Sequence, residues 1–76
     1  MHTEIEVIVP SSYTDELIDN LQQMDDVISL SVVREASIKP PGDVFRSLRL
    51  REPRSLRELI IDLVDATSPV RLRTLG

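Results

Sequence analysis

The sequence predicts an α+β fold, a four-stranded antiparallel sheet carrying two helices on one face. Three observations predict it. Four stretches alternate apolar and polar residues with the period of a strand, and two carry an apolar stripe at helical spacing. Their order along the chain is β-α-β-β-α-β, which packs most economically as one sheet under one helical layer. With 76 residues, the chain is expected to be a single domain over 1–76, with a small core.

The first strand is Thr3-Glu4-Ile5-Glu6-Val7-Ile8-Val9-Pro10. Ile5, Val7 and Val9 point one way, and Glu4, Glu6 and Ile8 the other. Pro10-Ser11-Ser12 then stops the strand and starts a helix, with Ser12 and Asp15 matching a capping box. Tyr13, Leu17, Leu21 and Met24, with Ile18 beside them, form the apolar stripe of that helix, and Asp25-Asp26 ends it.

Val27 to Ile38 is the second strand region, in which Ile28, Leu30 and Val32 alternate with Ser29, Ser31 and Val33. Lys39-Pro40-Pro41-Gly42-Asp43 predicts a hairpin with a long or irregular loop, and Ala36-Ser37-Ile38 an arm beyond the sheet. Val44 to Arg51 is the third strand. Strict alternation places Val44, Arg46, Leu48 and Leu50 on its inward face and Phe45, Ser47, Arg49 and Arg51 on the open face. Arg46 is the inward misfit, expected to snorkel out. Glu52-Pro53-Arg54-Ser55 opens the second helix, with a capping box at Ser55-Leu56-Arg57-Glu58. Leu56, Leu59, Ile60, Leu63 and Val64 make its apolar face, Thr67-Ser68-Pro69 ends it, and Val70 to Thr74 is the last strand.

Right-handed crossovers place these strands in the order 4-1-3-2, the split βαβ or ferredoxin-like arrangement. Glu4 and Glu6 then lie on the open face, bracketed by Arg71 and Arg73 of the fourth strand and by Arg49 and Arg51 of the third. Phe45, Ile8, Val27 and Val33 supply the apolar part of that face. This charge ladder reads in two ways: as an interface built from Glu4, Glu6, Phe45, Arg49, Arg51, Arg71 and Arg73, or as cross-strand pairing that keeps an uncovered sheet in water. The second strand is a sheet edge with few charges, so Val27, Ser29, Ser31 and Val33 are candidate contacts to a second copy.

The charge is unevenly spread. Residues 1–45 carry two bases against nine acids, and residues 46–76 seven arginines against four acids. The halves are suited to attract each other within the fold or across copies. The net charge of −4 and the glutamates among the arginines argue against nucleic acid, which ranks last among partners. Cysteine is absent, and His2 is the only histidine, so disulfide, thiolate-metal and cysteine-nucleophile chemistry are excluded. No catalytic triad, His/Cys metal spacing, phosphate-binding loop or dinucleotide fingerprint is present. A non-enzyme without cofactor or metal is expected. No apolar run approaches the ~20 residues of a membrane span, and Glu4 and Glu6 interrupt the only N-terminal one, so a cytoplasmic location without membrane insertion is the expectation.

The strand Ile5–Val9, the run Pro10-Ser11-Ser12, the helix ending near Asp25 and the strand Val27–Val33 resemble ACT-like regulatory domains of ferredoxin-like fold. More narrowly, Glu6-Val7-Ile8-Val9-Pro10 and Ser37-Ile38-Lys39-Pro40-Pro41-Gly42-Asp43-Val44 are similar to short N-terminal domains of bacterial multi-spanning membrane proteins of unknown function. That similarity covers residues 4–45 and implies a cytosolic appendage of a membrane protein, with no catalytic residue carried over. The ACT-like resemblance implies a regulatory module, although serine and proline stand where that class commonly has glycine. Ser11 and Ser12 then read either as helix caps or as the holder of an amino acid or anion.

Three functions follow as expectations. The first is a non-enzymatic regulatory or interaction module that forms a homodimer or docks on a larger protein. The second is a small-molecule sensor at Ser11 and Ser12. The third is a weak nucleic-acid binder using Arg46, Arg49, Arg51, Arg71 and Arg73.

Overall fold

The computed structural model describes residues 2–75. Strand β1 (Thr3–Val9) leads through a single 3-10 turn (Ser11–Tyr13) into α1 (Thr14–Gln23). Then follow β2 (Val27–Ile38), β3 (Pro41–Leu50), α2 (Pro53–Leu63) and β4 (Arg71–Thr74). The strands form one sheet in the order β2-β3-β1-β4, with every pairing antiparallel. This is the ferredoxin-like arrangement, with β1 inside the sheet and β2 and β4 at its edges.

The core follows from the sequence periodicity. Ile5, Val7 and Val9 on one face of β1 join Leu17 and Leu21 of α1 and Leu56 of α2 in a single buried cluster. Both helices therefore cover the same face of the sheet. Each fully buried aliphatic side chain of this kind contributes roughly 1.5–3 kcal/mol.

Three irregularities change the expected faces. Along β3, Phe45 pairs with Val7 and Leu48 with Ile5, so β3 uses one more residue than β1 across that interval. The extra residue is a β-bulge at Arg46 and Ser47, where Ser47 adopts φ 53°. The bulge reverses the parity of β3. Phe45 is fully buried with Leu48 and Leu50 instead of facing outward. Arg46, expected inward, is exposed opposite Ser31.

A second register shift, at Ile28, lets Val27 pair with Leu50 and Ser29 with Arg49. Val27 consequently packs against the core with Leu30 and Val32, and not on the open face or the outer edge. The third lies between Val33 and Ser37, where Glu35 adopts φ 57°.

The helix starts also differ from the expected capping boxes. Helix α1 begins at Thr14, and neither Ser12 nor Asp15 makes the cap; its preceding turn is closed by the Tyr13 N–H on the Pro10 carbonyl at 3.0 Å. Helix α2 begins at Pro53, which fits the first helical position because that N–H has no partner there. Ser55 lies inside the helix, and its hydroxyl donates to Asp26 at 2.8 Å. Asp26, expected to help end the first helix, thus also ties the end of α1 to the start of α2, and its carbonyl accepts the Arg51 N–H at 3.0 Å.

The β2–β3 connection is a tight turn over Lys39-Pro40, with a cis peptide bond, not a long loop. The last β1 pairing is Val9 with Asp43; β2 and β3 continue past it through Ser37–Gly42 and Ile38–Pro41 as a short arm. Gly42 sits at the base of the arm, where a Cβ would overlap the Val9 carbonyl oxygen.

Candidate interaction surface

The sheet leaves one face uncovered by helices. Across it, Glu4 pairs with Arg49 and Glu6 with Arg73, each at 3.3 Å. The register explains both contacts, since Glu4 lies opposite Arg49 on β3 and Glu6 opposite Arg73 on β4. Each glutamate has one arginine, not a bracket of two. Arg51 lies just past the end of β3, and Arg71 stands opposite Ile8; neither forms an ion pair among the described residues. Near the arm this face turns apolar, with Ile8 opposite Val44 and Val44 opposite Val33. The surface is charged at one end and aliphatic at the other, and Phe45 takes no part in it.

Ser11, a candidate anion holder, is already engaged by an anion of the chain itself. Its hydroxyl donates to Asp43 Oδ1 at 3.0 Å. The same carboxylate takes the Thr14 hydroxyl at 2.5 Å and the Glu35 N–H at 2.7 Å, while Arg34 stands 3.8 Å away. Asp43 is 1% exposed. Its carboxyl is held below the usual aspartate range, chiefly by the Thr14 hydrogen bond, with help from Glu35, Ser11 and Arg34 against the cost of burial. Arg34 also bonds Asp15 at 2.8 Å, and this contact raises the guanidinium pKa. Ser12 is exposed and makes no side-chain cap.

No local pattern marks this cluster, because Gly42-Asp43 also belongs to the turn signal Lys39-Pro40-Pro41-Gly42-Asp43. The detectable trace was a pair of hydroxyls, Ser11 and Thr14, spaced to face one acceptor at a strand–helix junction.

Besides the open-face ion pairs, the site residues divide into two groups. Ser11 and Asp43 form an internal anchor at the base of the arm. Ser29, Ser31 and Val33 lie on the outermost strand, beside Arg49, Arg46 and Val44 of β3 respectively. Among the described residues no group of His, Cys, Asp and Glu has the placement to hold a metal ion. A shallow hollow of about 340 Å³ at the charged end is lined by His2, Glu4, Arg49 and Leu75, so its charges already neutralise each other. No helix among the described residues is long and apolar enough to cross a membrane.

Compared with protein-family models, curated proteins and solved structures, the chain matches none.

Proposed function

We propose that this protein is a non-enzymatic interaction module that self-associates through the β2 edge. One observation carries the reading: a twelve-residue strand lies outermost in the sheet, and Ile28 and Val33 on it are exposed. An edge of unpaired N–H and C=O groups is complementary to its own antiparallel copy. Between its bulges the strand offers Ser29, Ser31 and Val33, which place no like charges opposite each other. The internal anchoring of Ser11 to Asp43 favours this reading over a small-molecule sensor at the same serines. The ACT-like resemblance and the similarity to appended N-terminal domains support a regulatory module attached to a larger, membrane-embedded partner, with self-association coupling two such partners.

Sedimentation over a concentration series tests the reading. The expected species has at least twice the 8.6 kDa chain mass, and Ser31→Lys, which sets lysines near each other across the paired edges, lowers the associated mass. A monomer that persists at high concentration removes the proposal.

A further inference from the structure

The arm and the far corner of the helical layer carry complementary features. At the arm tip, Ile38 is 90% exposed and is followed by Lys39. Beneath the last turn of α2, an open groove of about 240 Å³ is lined by Ile60, Ile61, Val64 and Val70, with Asp65 also at its surface. Ile61 is 76% exposed, off the stripe that α2 buries. The tip offers an aliphatic side chain next to a cation, and the groove an aliphatic hollow next to a carboxylate.

The topology places the two features at the same end of the sheet and at opposite edges. The arm continues β2 and β3 past Val9, the end of β1. At that same end β4 begins, with Arg71 opposite Ile8. The Tyr13 hydroxyl lies 3.3 Å from Ser68 Oγ and accepts the Asp65 N–H at 3.4 Å, fixing the groove loop beside the end of β1. A half-turn about an axis normal to the sheet, set just beyond this end, exchanges the two edges. It brings each arm to the edge of the other copy that carries the groove.

We propose that the arm of one copy, through Ile38 and Lys39, seats in the groove lined by Ile60, Ile61, Val64 and Val70 of a second copy, with Lys39 facing Asp65, and that the second copy returns the same contact. The contact is isologous and closes on itself. It rests on the self-association reading but uses a surface separate from the β2 edge. Operating together, the two contacts link copies beyond a pair.

Cysteine pairing separates the two surfaces, since the chain has no cysteine of its own. Ile38→Cys and Ile61→Cys chains are mixed and oxidised, with Ser31→Cys chains oxidised alone as the reporter of the edge. The arm contact predicts a mixed 38–61 disulfide as the main product, since a bridge requires Cα atoms within about 7 Å. Ile38→Asp and Ile61→Asp, both at exposed positions, are expected to weaken self-association roughly tenfold or more. Lys39→Glu weakens it too, and Asp65→Lys in the same chain restores it. A 31–31 product without any 38–61 product overturns the arm contact and leaves self-association standing. Association untouched by Ile38→Asp and Ile61→Asp also overturns it. Chains that neither cross-link nor sediment above the monomer overturn both.

Discussion

The buried carboxylate of Asp43 accepts a 2.5 Å hydrogen bond from the buried hydroxyl of Thr14, joining the start of β3 to the first residue of α1. Around this bond, Ser11 and the Glu35 N–H complete the acceptor's partners. The bulge at Glu35, the 3-10 turn and the helix start thereby converge on one side chain. Burying a carboxylate is costly unless its lone pairs are satisfied, and here they are. Thr14→Val removes one donor and is expected to cost about 1–3 kcal/mol. Asp43→Ala strands the buried Thr14 hydroxyl and releases Ser11 and the Glu35 N–H from the arm base, and is expected to cost about 3 kcal/mol or more. Urea melts check both. Equal, near-zero losses would show that the cluster does not hold the arm to the helix.

Acid should weaken the same cluster. Folded Asp43 titrates below the ordinary aspartate value of about 3.9, which the unfolded chain keeps. Its contribution is therefore complete above that value. As the pH falls through it, the unfolded chain takes up the proton first and stability declines. The contribution is lost once the pH passes below the lowered folded value. Melting temperature followed from neutral to strongly acid pH should show this limb, and Asp43→Asn should flatten it. An Asp43→Asn curve as steep as the parent's assigns the acid limb to other carboxylates.

The fold was legible in the sequence because its evidence is periodic. Ile5, Val7 and Val9, the Leu17–Leu21 stripe and the Leu56–Val64 stripe each report a face, and right-handed crossovers order the strands. The faces of Val44, Phe45 and Arg46 in β3 and of Val27 in β2 were not legible. Ser47 and Glu35 take positive φ without being glycine, so the bulges carry no compositional mark. A single inserted residue then inverts the alternation on which every assignment beyond it depends. The partners of Asp43 lie 29 and 32 residues away in sequence at Thr14 and Ser11, and no local pattern connects them. The Glu–Arg juxtaposition was readable because Glu4 meets Arg49 on the side of the β3 bulge where the expected alternation holds, and Glu6 meets Arg73 on β4, whose pairing has no shift.

The bulge makes a prediction that distinguishes the two possible faces of Phe45. On an open sheet face, Phe45→Ala would cost little. In the core it is expected to cost about 3–5 kcal/mol. Ser47→Gly should act in the opposite direction. It relieves a left-handed conformation worth about 1–2 kcal/mol for a residue with a Cβ, less about 0.5–1 kcal/mol of extra chain entropy. A small net stabilisation is the expected result of denaturant melts. A destabilising Ser47→Gly would mean that the Ser47 side chain itself supports the bulge.

The open-face ion pairs should contribute little and should respond to salt. Arg49 and Arg73 are more than half exposed, and exposed pairs are worth about 0.2–1 kcal/mol. A double-mutant cycle on Glu4→Gln and Arg49→Gln should give a coupling in that range, shrinking as ionic strength rises. Glu6 and Arg73 should behave alike, because the same cross-strand register sets their geometry. Their larger effect is on what the face attracts. Glu4→Gln with Glu6→Gln removes both carboxylates from beside the arginines, leaving Arg46, Arg49, Arg71 and Arg73 as a basic strip. Single-stranded nucleic acid should then bind the double variant more tightly than the parent at low salt, with an affinity that falls steeply as salt is added. Equal binding by parent and variant would mean that Glu4 and Glu6 do not restrain that strip.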